Sequence, residues 1–406
     1  MNRRGVCYDA GRVMWGQDWR PEFSPEEARR ELQIIKNDLR CDAVRICGQD
    51  LGRLAAAGRH ALDCGLQVWL SPELWDHSPS DTVGYIAKAA DAAEELHRHR
   101  PGQVVFSAGS EATLFMAGIV EGGSVFERLE HPDFWRRVRA GEHNGPLSAF
   151  LAEAAGRARA VFHGPVTYAS VPLETVEWSR FDFVGVDLYR GAELKDRFTD
   201  VLHRYLASGR PVAITEFGCC TYRGAAAAGG RGFAILDISA QDKQSTPPRL
   251  NGPYIRDETE QARELTELLS IFDAAGADAT FVMTFIAPLN PASDDPLYDL
   301  DMASYSLVKS FGGRLGALGT AHPEAPWDRG RLGTTYPHVP WEPEESFGAV
   351  ADFYAAHTAP AHSPRRGYDS LIWTWSRHNH ARPPSLPAHE QRRKRPPGGK
   401  RWLMRR

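Results

Sequence analysis

Long apolar runs are missing from this chain of 406 residues. The longest, such as 282–288, fall far short of the roughly 20 residues a membrane helix needs. The N-terminal stretch has early arginines but no apolar core of the kind that opens a secretory signal, so the expectation is a soluble, cytoplasmic protein with no membrane partner. Cysteine is sparse: Cys7, Cys41, Cys47, Cys64, Cys219 and Cys220 include no pair at CxxC spacing. That spacing excludes a zinc ribbon and reads as free thiols in a reducing compartment. His77 follows Glu73 and Asp76 but has no second histidine at metal spacing, so no metal is expected. The turn Tyr8-Asp9-Ala10-Gly11 lacks the GxGxxG pattern, which argues against a dinucleotide-binding open sheet. No repeat of short fixed period occurs. A formal net charge of −4 argues against nucleic-acid binding by the molecule as a whole.

What is present is an alternation of short apolar runs and longer helix-like stretches. The strand candidates are 5–8, 43–47, 67–70, 104–107, 166–169, 183–188, 212–215 and 280–285. Most are rich in Val, Ile or Phe and lack polar alternation, as strands buried on both faces do. Helical patterns occupy 24–39, 81–98, 147–162 and 258–275, the first opening with Ser-Pro-Glu-Glu, a cap followed by Pro and acids in the first turn. Eight such units predict an α/β fold, a (β/α)8 barrel, as a single domain over 1–360 with long loops after strands four and seven. Residues 361–406 differ. They hold twelve Lys or Arg against two acids, so the tail carries +10 and residues 1–360 carry −14. This Pro- and Arg-rich tail reads as largely disordered, and it is the only part suited to a nucleic-acid or acidic partner.

Two glutamates sit at strand ends. Val-Val-Phe-Ser-Ala-Gly-Ser-Glu places Glu111 just past the fourth strand, and Val-Ala-Ile-Thr-Glu-Phe-Gly places Glu216 at the end of the seventh. In a barrel the C-terminal strand ends converge on one rim, so residues distant in sequence can face one pocket. Two facing carboxyls suit glycosidic cleavage. One stays protonated to help the leaving oxygen depart; the other is ionised and attacks the anomeric carbon. A separation of about 5–5.5 Å gives retention, and about 6.5–9.5 Å admits a water and gives inversion. The ionised partner raises the pKa of the acid by like-charge repulsion.

With these motifs, residues from about 5 to 290 resemble the large clan of retaining glycoside hydrolases on (β/α)8 barrels. That clan shares a strand-four acid/base and a strand-seven nucleophile. The resemblance implies that Glu111 is the acid/base and Glu216 the nucleophile, with no metal or organic cofactor. It also implies that Arg45, in Ala-Val-Arg-Ile, and Tyr189, in Val-Asp-Leu-Tyr, support the nucleophile. Two positions depart from the clan. Ser110 stands where it has Asn, which contacts the sugar 2-hydroxyl, and Phe285 stands where it has a Trp platform. These departures point to an unusual glycoside or to a barrel re-used for other chemistry. Asp9, Trp75, Ser110, Asp187, Arg223 and Phe285 complete the expected substrate-contacting set, within which Arg223, with Arg231, is a candidate to hold an anionic group.

Three functional readings follow. The first is a retaining O-glycoside hydrolase or transglycosidase acting on a carbohydrate or small glycoside. The second keeps the acid pair but uses it for ring opening, cyclisation or elimination on a non-sugar substrate, a pseudoglycosidase. The third is a binding module that contacts nucleic acid through its basic tail.

Overall fold

Eight parallel strands close into a barrel in the computed structural model, which describes residues 1–14, 17–237, 247–312, 326–328 and 330–357. The strands are β1 (Arg3–Asp9), β2 (Ala43–Gly48), β3 (Gln67–Pro72), β4 (Val104–Ser110), β5 (Val166–Ser170), β6 (Val184–Asp187), β7 (Val212–Phe217) and β8 (Ala279–Val282). Each pairs with its neighbours in sequence, and β1 closes the ring by pairing with both β2 and β8. Trp15 and the whole basic tail lie outside the described residues. Among those described, no helix is long and apolar enough to cross a membrane.

The lack of polar alternation has a structural cause. All six residues of β2 are buried, because one face fills the barrel and the other lies under helices. Inward, Trp69 packs between Phe183 at 4.9 Å and Phe281 at 5.0 Å, so the barrel interior is a solid apolar plug. The plug reaches β1 closely enough that only glycine fits at position 5, where a Cβ would stand 2.5 Å from the Phe281 ring. Outward, Val6, Tyr8, Val44, Ile46, Val68 and Leu70 join the layer beneath the helices.

The longer helices are α1 (Pro25–Asn37), α2 (Leu51–Asp63), α3 (Pro79–His99), α4 (Asn144–Arg159), α5 (Phe198–Leu206), α6 (Glu258–Ala275) and α7 (Glu345–Ala356). Ser24, Asp50, Ser78 and Asp257 each accept a backbone N–H of the first turn of α1, α2, α3 and α6, which fixes where these βα loops end. The link from β5 to β6 carries only a 3-10 turn, Trp178–Arg180. The expected eighth strand ran to 285, but pairing stops at Val282.

The register breaks at the rim. The β4–β5 ladder shifts between Ser107 and Ser110, the β6–β7 ladder between Val186 and Asp187, and the β7–β8 ladder between Thr280 and Val282. A bulge re-aims the side chain that follows it. The first two shifts precede Glu111 and set Asp187 opposite Glu216.

Candidate active site

Glu216 ends β7 with its side chain 14% exposed and both carboxylate oxygens engaged. Arg45 Nη1 donates to Oε2 at 2.9 Å, and the Tyr189 hydroxyl donates to Oε1 at 2.7 Å. A second guanidinium, Arg12 Nη2, lies 3.5 Å from Oε2. Sequence reasoning missed Arg12. Its signal was the turn itself: Asp9 Oδ1 accepts the N–H groups of Gly11 at 2.7 Å and Arg12 at 2.9 Å, the local bonding that makes an Asp before a glycine a turn former. Glu73 ties the two arginines together. It accepts from Arg12 Nε at 2.7 Å and lies 3.5 Å from Arg45 Nη2.

This inner pair is nearly sealed, with the Arg12 and Glu73 side chains 5% and 2% exposed. Replacing one partner of such a pair strands the other charge. Arg12→Ala is therefore expected to cost about 3–5 kcal/mol of stability, with less lost when Glu73→Leu accompanies it. Urea unfolding measures both. Equal losses in the single and double variants would show that the stranded charge is not the cause.

Glu111 follows β4 in the left-handed backbone region, at φ 45°. A non-glycine residue stays there only where its surroundings hold it. The holders are visible. Its N–H bonds to Ala169 O at 2.8 Å, the Tyr168 hydroxyl accepts the next N–H, of Ala112, at 2.8 Å, and Glu174 accepts that of Thr113 at 3.0 Å. Burial first, then the charges of Asp187 and Glu216, pushes the Glu111 carboxyl well above the usual carboxylate range. Burial likewise pushes Asp187 up to about 7, with Arg45 opposing. Ser110 Oγ bonds to Asp187 Oδ2 at 3.3 Å and accepts from Arg45 at 3.2 Å, so its hydroxyl is committed to neighbours.

Glu111, Glu216, Arg45, Tyr189, Asp9, Ser110 and Asp187 are thus gathered at one rim. The other expected contacts stand differently. Phe285 does not face this cluster. Its N–H bonds to Cys7 O at 2.8 Å, and its ring lies 6.3 Å from Tyr8 and 5.3 Å from Trp341, in the layer under the helices. Met283 and Tyr305 border the site instead: Met283 Sδ lies 3.6 Å from Arg12 Nη1, and the Tyr305 ring 5.4 Å from that of Tyr189. Tyr305 comes from a segment without strand or helix, and no periodic signal marked it. Arg223 is also displaced. Its side chain is 67% exposed and lies 3.5 Å from Asp257, because its backbone joins that of Ile255 on the outside of the loop. Arg231 is exposed and pairs with Glu193. Trp75 stacks on Phe115 at 4.3 Å, which occupies one face of its ring. Cys219 and Cys220 are buried, and burial pushes both thiols up. A cavity of about 870 Å³ opens beside Arg256, Lys309 and Phe311 and is lined by neither glutamate.

Fold and site together define a (β/α)8 barrel with acid groups gathered at the C-terminal rim, and solved glycoside hydrolase structures share that fold. Two structures of GH113 β-1,4-mannanase align over 88% of this chain and 100% of theirs, at 13% and 12% identity, each with a TM-score of 0.51. The GH113 β-mannanase AaManA from Alicyclobacillus acidocaldarius, in complex with ManMIm, aligns over 87% of this chain and 96% of its own, at 15% identity and a TM-score of 0.49. No protein-family model and no curated protein matches the chain.

Proposed function

We propose that the protein is a retaining O-glycoside hydrolase or transglycosidase. Glu216 is the nucleophile and Glu111 the acid/base, with Arg45, Arg12 and Tyr189 as supports of Glu216. One observation carries the reading. A carboxylate held by Arg45 and Tyr189 lies close enough to Glu111 for its charge to raise that carboxyl's pKa. Glu216 receives guanidinium and hydroxyl donors on both oxygens, while burial and two neighbouring acids favour a protonated Glu111. This is the division of labour that glycosidic cleavage requires.

In the first half-reaction Glu216 Oε forms a bond to the anomeric carbon as the glycosidic C–O bond breaks. Glu111 gives its proton to the departing oxygen. In the second half, Glu111, now ionised, takes a proton from water or from an acceptor hydroxyl, and that oxygen displaces Glu216. The β-1,4-mannanases with this fold make β-mannosides the first substrates to test. The test is covalent trapping. A dinitrophenyl 2-fluoro-β-mannoside should label the protein once, at Glu216, as read by peptide mass spectrometry. A label on another residue would overturn Glu216 as the nucleophile, and hydrolysis of β-mannosides with inversion would remove the retaining reading.

A second reading has an observation in its favour. Ser110 is bound to Arg45 and Asp187, and Phe285 is buried beneath helices, so two contacts expected to read a pyranose are missing. Non-hydrolytic acid/base chemistry by the same two glutamates becomes the better reading if a broad glycoside panel gives no turnover.

A further inference from the structure

The hydrolase reading uses Glu111 and Glu216 and leaves a third buried acid, Asp187, without a task. Asp187 ends β6 and is only 2% exposed. Its register partner across the ladder is Glu216. Its Oδ1 accepts the Thr215 hydroxyl at 2.6 Å, and its Oδ2 accepts that of Ser110 at 3.3 Å. The Glu111 carboxyl also hydrogen-bonds it. Two carboxylates in such contact cannot both be ionised without strong repulsion, so a hydrogen bond between them requires a proton on one.

We propose, resting on the hydrolase reading above, that Asp187 is a positioning residue for the acid/base: it shares a single proton with Glu111 and holds that residue in its acidic form and in one orientation. The charged and titratable groups acting on the pair come from several elements: Arg45 on β2, Tyr168 on β5, Glu174 after β5, Tyr189 after β6, Tyr205 on α5, and Glu216 on β7. Arg45 is the cation among them, and its nearest carboxylate contact is Glu216 rather than Asp187. The proton is therefore retained between Glu111 and Asp187, while Glu216 has Arg45 and Tyr189 as its donors. The directions of both pKa shifts agree with this placement. During turnover the shared proton leaves from Glu111 to the glycosidic oxygen, and Asp187 keeps its bonds to Thr215 and Ser110, so the supporting carboxylate does not have to move.

The sign of the effect follows. Asp187→Asn removes a negative neighbour and supplies an N–H donor, and both changes favour ionised Glu111. Its pKa falls, and the alkaline limb of the kcat/KM profile on mannobiose should move down by about one pH unit or more. Asn fills the same space, so a merely structural Asp187 would leave the limb where it is. The shared proton has a second readout that does not depend on turnover. Infrared difference spectra of the full chain at neutral pH, wild type minus variant, should show a protonated-carboxyl C=O band lost in both Asp187→Asn and Glu111→Gln. A moved limb with the lost band supports the proposal. An unmoved limb, or a band kept in either variant, overturns it. If the wild type hydrolyses no glycoside but the band is lost in both variants, the proton-sharing pair stands and the hydrolase reading falls. If Asp187→Asn does not fold, Asp187→Ser takes its place in the infrared comparison, with loss of the band supporting the pair and its survival overturning it.

Discussion

Replacing Glu216 with alanine should lower glycoside turnover by about four to six orders of magnitude, the scale reached when the residue that forms the covalent bond is deleted. The size follows from the site. Glu216 is the carboxylate to which Arg45 and Tyr189 donate directly, with the Arg12 guanidinium close by. Its removal also strands the two arginines, which Glu73 then neutralises only in part. The informative measurement adds azide to the alanine variant with a dinitrophenyl β-mannoside. The space vacated by the side chain should admit the small anion, turnover should partly return, and the product should be the glycosyl azide of inverted configuration. Turnover by the variant within about tenfold of wild type, where a nucleophile's loss removes orders of magnitude, would end the assignment of Glu216.

Replacing Glu111 with glutamine should have the second largest effect, and its size should depend on the leaving group. A positioned general acid contributes about 10²–10⁴-fold. A dinitrophenolate needs almost no protonation to depart, so bond cleavage on that substrate should change little, while mannobiose should lose the full amount. The second half-reaction still lacks its base. With the dinitrophenyl substrate a rapid burst of phenolate should therefore precede slow turnover, and the glycosyl-enzyme should accumulate. Glutamine keeps the shape and cannot donate an acidic proton, so lost packing cannot produce that pattern. Equal losses on both substrates, without a burst, would place the acid elsewhere. The left-handed backbone at Glu111 is set by its Ala169 bond and by Tyr168 and Glu174, none of which touches the substituted atom, so the variant should fold.

Which parts of this could be read in the sequence has a physical explanation. The eight strands were legible because a strand buried on both faces is written as a short, largely apolar run without polar alternation. The positions of Glu111, Glu216 and Tyr189 past or at strand ends, and of Arg45 within the second strand, were legible from the apolar runs, and parallel strands in a barrel bring their ends to one rim. Phe285 misled because the apolar run continues past the end of pairing at Val282; its ring then packs outward against Tyr8 and Trp341. Arg223 misled because a small-residue loop near the rim does not reveal which way its arginine points, and Asp257 draws it outward. The register shifts that aim Ser110 and place Asp187 opposite Glu216 leave no mark on hydrophobic pattern, since a bulge changes pairing without changing composition. The role of Arg12 depends on Glu73, which lies 61 positions away in the chain, so it became readable only in three dimensions.

The gathering, among the described residues, of Asp9, Glu73, Glu111, Asp187 and Glu216 around Arg12 and Arg45 has a bearing on diet. Even with one proton shared between Glu111 and Asp187, acids outnumber bases, and both bases are already occupied. Uronic acids, sulfated sugars and sugar phosphates would each bring one more negative charge to a place where the described residues offer no spare cation, and should be turned away at the door. Neutral or amine-bearing sugars meet no such barrier.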